Sequence, residues 1–173
     1  MTDPTESAPL YRTLIIGFGN PYRHDDGVGL DVINLLRQRV GLRALALDED
    51  GMDNLGYPID TIMLHQLLPE LVPIVANYRR LIFVDAHTGA IPDDIKIVEI
   101  LEEYGFQAVT HHLSPQMLLA LVKNATGQVP LSHLVSIRGE NFDFGEGLSA
   151  ACLERAKDAV DQILEIAGVQ SGI

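Results

Sequence analysis

The sequence predicts an α/β fold: a single domain with a mostly parallel, twisted sheet of about five strands and helices on both faces. Three observations carry that expectation. Apolar runs of strand length alternate with amphipathic runs of helix length along the chain. No linker, internal repeat or low-complexity segment interrupts the 173 residues, so 1–173 reads as one unit with flexible ends at 1–10 and 168–173. A glycine-rich stretch, Gly17 to Gly29, joins the first apolar run to the first amphipathic one.

Taken in order, Thr13-Leu14-Ile15-Ile16 opens a buried strand over 13–18. Val28, Val32, Leu35, Leu36 and Val40 then recur near helical spacing and predict a helix over about 26–40. Leu42 to Leu47 reads as a short second strand, followed by a loop from Gly51 to Asp60. Leu64, Leu67, Leu68, Leu71 and Val75 form a helical stripe within 61–77, kinked or split by Pro69 and Pro73. Arg80 to Ala86 is the strongest strand and is expected at the centre of the sheet; Ile95 to Leu101 is another. Ser114 and Pro115 suit the N-cap and first turn of a helix over 114–123. A strand at 134–138, a loop at 139–147 and a helix at 148–167 complete the chain.

Composition excludes several classes of function. The net charge of −12 argues against nucleic acid and anionic membranes, both of which need basic patches. No apolar run approaches the roughly 18 residues of a membrane span. The polar start of the chain lacks a signal-peptide pattern, so the expected location is the cytoplasm. Cys152, the one cysteine, rules out an internal disulfide and a multi-cysteine zinc site, and reads as a buried structural thiol.

The Gly17–Gly29 turn does not suit a phosphate. A dinucleotide fingerprint would need its third glycine at Tyr22, and no G-K-S/T element exists for a P-loop. The adjacent Asp25 and Asp26 would repel an anion and instead favour a cation. Asp25 also has a plainer reading as a helix cap.

Two further polar signals fall where an open α/β sheet places its ligands. Asp85 ends the apolar strand Leu81-Ile82-Phe83-Val84, and His111-His112 precede the Ser114-Pro115 helix. Adjacent histidines diverge, so one is expected to act as ligand or base and the other to serve the structure. Two carboxylates and an imidazole make a mixed N/O site for nickel, zinc, copper or iron. With no fourth protein ligand, the set suits an ion delivered with the substrate. No H-E-x-x-H, G-x-S-x-G or activated cysteine supports another hydrolytic mechanism.

These motifs, in this order, resemble the hydrogenase maturation endopeptidases that process the large subunit of [NiFe] hydrogenases. Gly17 to Gly29 matches the family's G-x-G-N-x-x-x-x-D-D/E-G-x-G, Val84-Asp85-Ala86 its V-D-A, and Thr110-His111 its histidine segment before a leucine-rich helix. Gly139 to Ser149, ending Gly147-Leu148-Ser149, matches its late segment. The resemblance implies that Asp26, Asp85 and His111 are both the metal-recognising and the catalytic residues, with His112 one register step away. It also implies that nickel arrives in the precursor rather than as a resident cofactor. Cleavage would then remove a C-terminal extension from the large subunit, with this chain acting as a monomer. The D-x-G-T-x-G stretch found in many members is absent; the region reads Asp48-Glu49-Asp50-Gly51-Met52-Asp53, and His65-Gln66-Leu67-Leu68-Pro69-Glu70-Leu71 resembles a subset of the family.

The alternative function is a chaperone that holds nickel or the precursor without cutting; a nucleotide-binding enzyme is disfavoured by the acidic turn. Of the other histidines, His65 reads as helix surface or core, His87 as a loop residue beside Asp85, His24 as surface near Asp26, and His133 as structural.

Overall fold

The computed structural model describes residues 12–104 and 112–169. Among them, β1 (Thr13–Phe18), β2 (Ile59–Leu64), β3 (Arg80–His87), β4 (Ile95–Ile100) and β5 (Leu131–Arg138) form one sheet in the order β2-β1-β3-β5-β4. β2, β1, β3 and β5 run parallel, and β4 is antiparallel to β5.

Strand alternation sorts the side chains into two cores. Ile15, Ile82 and Val84 pack under α1 (Val28–Arg39) and α4 (Ala150–Ile166). Leu14, Ile16, Leu81 and Phe83 pack on the other face, under α2 (Val72–Val75) and α3 (Pro115–Thr126). Leu81 to Val84 are all fully buried, each stabilising by roughly 1.5–3 kcal/mol. An apolar run without alternation is what a strand covered on both faces requires.

Two helix starts follow their local chemistry. Ser114 Oγ accepts the Met117 N–H at 3.2 Å ahead of Pro115, and Ser149 Oγ accepts the Cys152 N–H at 3.3 Å. At the far end of α3, Gly127 (φ 77°) closes the helix by donating to the Lys123 carbonyl at 2.7 Å.

The second strand is a correction. Leu42 to Leu47 forms no strand; it is an irregular segment pinned by the Asn34 amide, which donates to the Leu45 carbonyl and accepts the Leu45 N–H. β2 lies at Ile59–Leu64 instead, across the boundary between the expected loop and helix. Its polar Asp60 and Thr61 are buried but satisfied. Asp60 takes Tyr78, Arg12 and the Gly56 and Tyr57 N–H groups, and Thr61 accepts from Arg37. The leucine stripe after it yields only a tight turn at Pro69–Leu71 and the single turn of α2.

The expected flexible ends lie almost wholly outside the described residues; Gly168 and Val169 close α4 by donating to Glu165 and Leu164. Among the described residues no helix is long and apolar enough to cross a membrane.

β1 connects through α1 to β2 on one side, and β2 connects through α2 to β3 on the other. The crevice beyond the C-terminal ends of β1 and β3 is therefore the topological switch point of the sheet, where such folds bind their ligands.

Candidate active site

Both expected carboxylates sit at that switch point. Asp26 belongs to a tight helical turn, His24–Gly27, that links β1 to α1. The chain reaches it through Gly19, whose φ of 139° carries the backbone over Asp26; a Cβ there would lie 2.2 Å from the Asp26 carbonyl oxygen. Asp26 Oδ2 accepts the Asn20 N–H at 2.9 Å, and among the described residues Oδ1 accepts nothing. Behind this turn Gly29 seats α1 on the sheet, since a Cβ would come within 3.3 Å of the Val84 carbonyl oxygen.

Asp85 follows Phe83 by two along β3 and so faces the α3 side. Its cross-strand neighbour is Ser136 of β5. Oδ1 is buried and has no hydrogen-bond partner among the described residues. Burial pushes the Asp85 carboxyl up to about 7; the Ser136 hydroxyl opposes the rise and the charge of Asp26 adds to it. Asp26 and Asp85 are thus close enough to repel, and Asp85 is poised to carry a proton near neutrality.

His111 lies outside the described residues. Of its described neighbours, Leu113 packs against the core beneath α3 and His112 is exposed. Among the described residues no three His, Cys, Asp or Glu side chains are grouped to hold a metal ion.

Asp25 is not a helix cap. Its side chain is fully buried and accepts four hydrogen bonds from the loop after β5. These come from Glu140 N (2.7 Å), Asn141 N (3.0 Å), Ser149 N (2.7 Å) and Ser149 Oγ (2.7 Å). Burial alone would raise its pKa, but these donors more than offset that and hold the carboxyl below its usual range. Asp25 thereby ties the first motif to the last. The partners are more than a hundred residues away, and the hint in the sequence was Ser149, the serine of the late segment.

His24, at φ 43°, is part of the same tie: Nδ1 donates to the Gly147 carbonyl at 3.0 Å, and its ring fills the space a Gly145 side chain would take. His87 ends β3, buried. Its Nδ1 accepts the Gly89 N–H and its Nε2 donates to the Asp93 carbonyl, so neither nitrogen is left for a metal. His65 is exposed and lies just past β2, at the site's edge of the sheet rather than on a helix. His133 stands within β5, where burial pulls its pKa down. Cys152 is buried, and burial followed by the Asp25 charge pushes its thiol up to about 12, far from a reactive thiolate.

The fold is that of solved [NiFe] hydrogenase maturation proteases. The chain superposes on HycI from Thermococcus kodakarensis with a TM-score of 0.63 and 22% identity, covering 91% of this chain and 93% of that one. For the endopeptidase HybD from Escherichia coli the TM-score is 0.65 at 21% identity, covering 90% and 91%. For a hydrogenase 2 maturation peptidase from a Thaumarchaeota archaeon it is 0.60 at 22%, covering 92% and 99%. No family model and no curated protein matches the sequence.

Proposed function

We propose that the protein is an endopeptidase that removes the C-terminal extension of a [NiFe]-hydrogenase large-subunit precursor, recognising nickel already held by that precursor. The observation that carries this reading is the Asp26–Asp85 pair: two carboxylates at the switch point, one with a buried oxygen that no group among the described residues satisfies. A cation brought by the substrate relieves both the repulsion and the unsatisfied oxygen. The shared fold of solved maturation proteases supports the same reading.

In this reading Asp26 and Asp85 present oxygen donors to the incoming nickel, and His111 supplies an imidazole. Asp26 is held by the Asn20 N–H, and Asp85 exchanges its proton near neutral pH. Water adds to the scissile carbonyl carbon, the C–N bond breaks, and the proton taken from water passes to the leaving amine. Asp85, ionised, is the group suited to carry it.

The test is incubation of the protein with a nickel-loaded precursor, followed by electrophoresis. The expected result is a shorter large subunit with wild-type protein and none with Asp26→Ala or Asp85→Ala. Tight association without any shortening by wild-type protein would replace the protease reading with that of a holding chaperone.

A further inference from the structure

The turn that leads into Asp26 displays an exposed aromatic–arginine cluster. Phe144 is 87% exposed, the most exposed large apolar side chain among the described residues. Tyr22 is 43% exposed, and the Arg23 guanidinium carbon lies 5.7 Å from the centre of the Phe144 ring. A single exposed apolar side chain is ordinary, but Phe144 stands over an arginine and beside a second exposed aromatic, whose carbonyl accepts the Gly145 N–H.

The loop that carries it is rigidly held. Arg23 and Gly145 form a parallel bridge; the Gly145 N–H donates to the Tyr22 carbonyl at 2.9 Å and the His24 N–H to the Gly145 carbonyl at 2.8 Å. Arg23 Nε donates to the Phe142 carbonyl at 3.1 Å, and the buried Asp25 clamps both ends of the loop. Phe144 is therefore presented on a frame already ordered, which lowers the entropic cost of binding anything to it. Arg23 keeps the rest of its guanidinium free: it forms no ion pair among the described residues, although Asp143 and Glu146 are exposed on the same loop. In a chain with 24 acidic and 12 basic residues, an arginine left without a carboxylate is suited to one from outside.

We infer that Tyr22, Arg23 and Phe144 form the docking corner for the polypeptide to be processed. They would receive a segment that lays an apolar side chain on Phe144 and sets a carboxylate against Arg23. Tyrosine and arginine dominate the energetic centres of protein interfaces, and the stacked Arg–Phe pair offers both an apolar face and a charge. Arg23 immediately precedes the turn that carries Asp26, so the corner and the carboxylate pair belong to one element of the fold. The inference rests on the proposed processing activity for the identity of the partner.

The experiment measures binding and cleavage separately, with the nickel-loaded large-subunit precursor from the same organism and with wild-type protein, Phe144→Ala and Arg23→Ala. Phe144→Ala leaves the frame's hydrogen bonds in place, so its urea midpoint stays that of wild type. Both variants are expected to bind at least about ten-fold more weakly, with the loss falling on KM rather than kcat. Wild-type affinity and KM in both variants would overturn the docking corner while leaving the protease reading intact. Weakened binding by the variants of a precursor that wild type holds but never cuts would uphold the corner and overturn the protease reading. A wild-type protein that neither binds nor cuts would overturn both.

Discussion

Asp25→Ala should destabilise the protein by about 3–5 kcal/mol, although the residue touches none of the expected chemistry. The side chain is fully buried and accepts three backbone N–H groups and the Ser149 hydroxyl. A hydrogen bond to a charged group contributes roughly 1.5–3 kcal/mol, and a simple sum would overshoot because water enters the space left behind and the bonds are not independent. Asp25→Asn separates charge from shape. Oδ2 receives three of the donors and Oδ1 only the Ser149 N–H. The amide therefore keeps its oxygen on the crowded side and turns its NH2 against a single N–H, at a cost of about 2–3 kcal/mol.

Urea denaturation followed by circular dichroism measures both, with the slope of the transition unchanged. For a chain of this size the alanine variant's midpoint temperature falls by roughly 6–20 °C. Because the folded pKa of Asp25 is depressed, its contribution is complete above the unfolded value of 3.8 and is lost as pH falls through the lower folded value. The gap between wild type and Asp25→Asn should accordingly close only below pH 3.8. Hydrogen exchange adds a local readout: the Glu140, Asn141 and Ser149 amides should lose protection first. An alanine variant within about 1 kcal/mol of wild type would refute the clamp.

Four further outcomes follow from the site. Asp85→Asn should stabilise the metal-free protein at pH 8 by about 2–4 kcal/mol, because a carboxyl raised to about 7 loses stability as pH rises from 3.8 towards 7; denaturation midpoints that differ from wild type no more at pH 8 than at pH 4 would contradict this. Processing should rise with pH through about 7 as Asp85 ionises, in a cleavage assay at fixed precursor concentration. The isolated protein should bind nickel weakly and release a proton as it does so; calorimetry giving a tight stoichiometric complex without precursor would sink the idea of a substrate-delivered ion. His111→Ala should abolish processing, whereas His112→Ala should keep activity reduced by no more than roughly 10–100-fold; the reverse pattern moves the ligand by one register step.

How much of this was legible in the sequence depended on how local the physics is. β1, β3 and the start of α3 rest on apolar runs and a cap a few residues long, and they appear where those signals place them. β2 was hidden because Asp60 and Thr61 interrupt its apolar pattern, and their partners, Tyr78, Arg12 and Arg37, come from distant segments. The leucines that follow mimic a helical stripe, although Leu68 is 43% exposed and two prolines limit the helix to one turn. In the site, Asp26 was legible from the acidic turn between β1 and α1, and Asp85 from its place at the end of an apolar run. Ser136 was not singled out: a lone serine in an apolar strand says nothing until the register sets it opposite Asp85. The docking corner was illegible for a different reason, since exposure of an aromatic is decided by tertiary structure alone.

The contrast between Asp25 and Asp26 explains why the motif needs two adjacent carboxylates. Neighbouring side chains on a tight turn diverge, so one acid can point into the protein while the next points out over the sheet edge. Asp25 is saturated with four donors and has no capacity left for a ligand. Asp26 has one backbone donor and a free oxygen, and its charge reaches Asp85. The inward acid fixes the 139–149 loop against the turn; the outward acid is thereby held at a constant height over the end of β3. Were Asp26 on a loose loop, its repulsion with Asp85 would simply push it into water. Held in place, the pair is relieved only by a proton on Asp85 or by a cation, and in the proposed reading an ion brought by the substrate takes the proton's place and so reports that the substrate is ready.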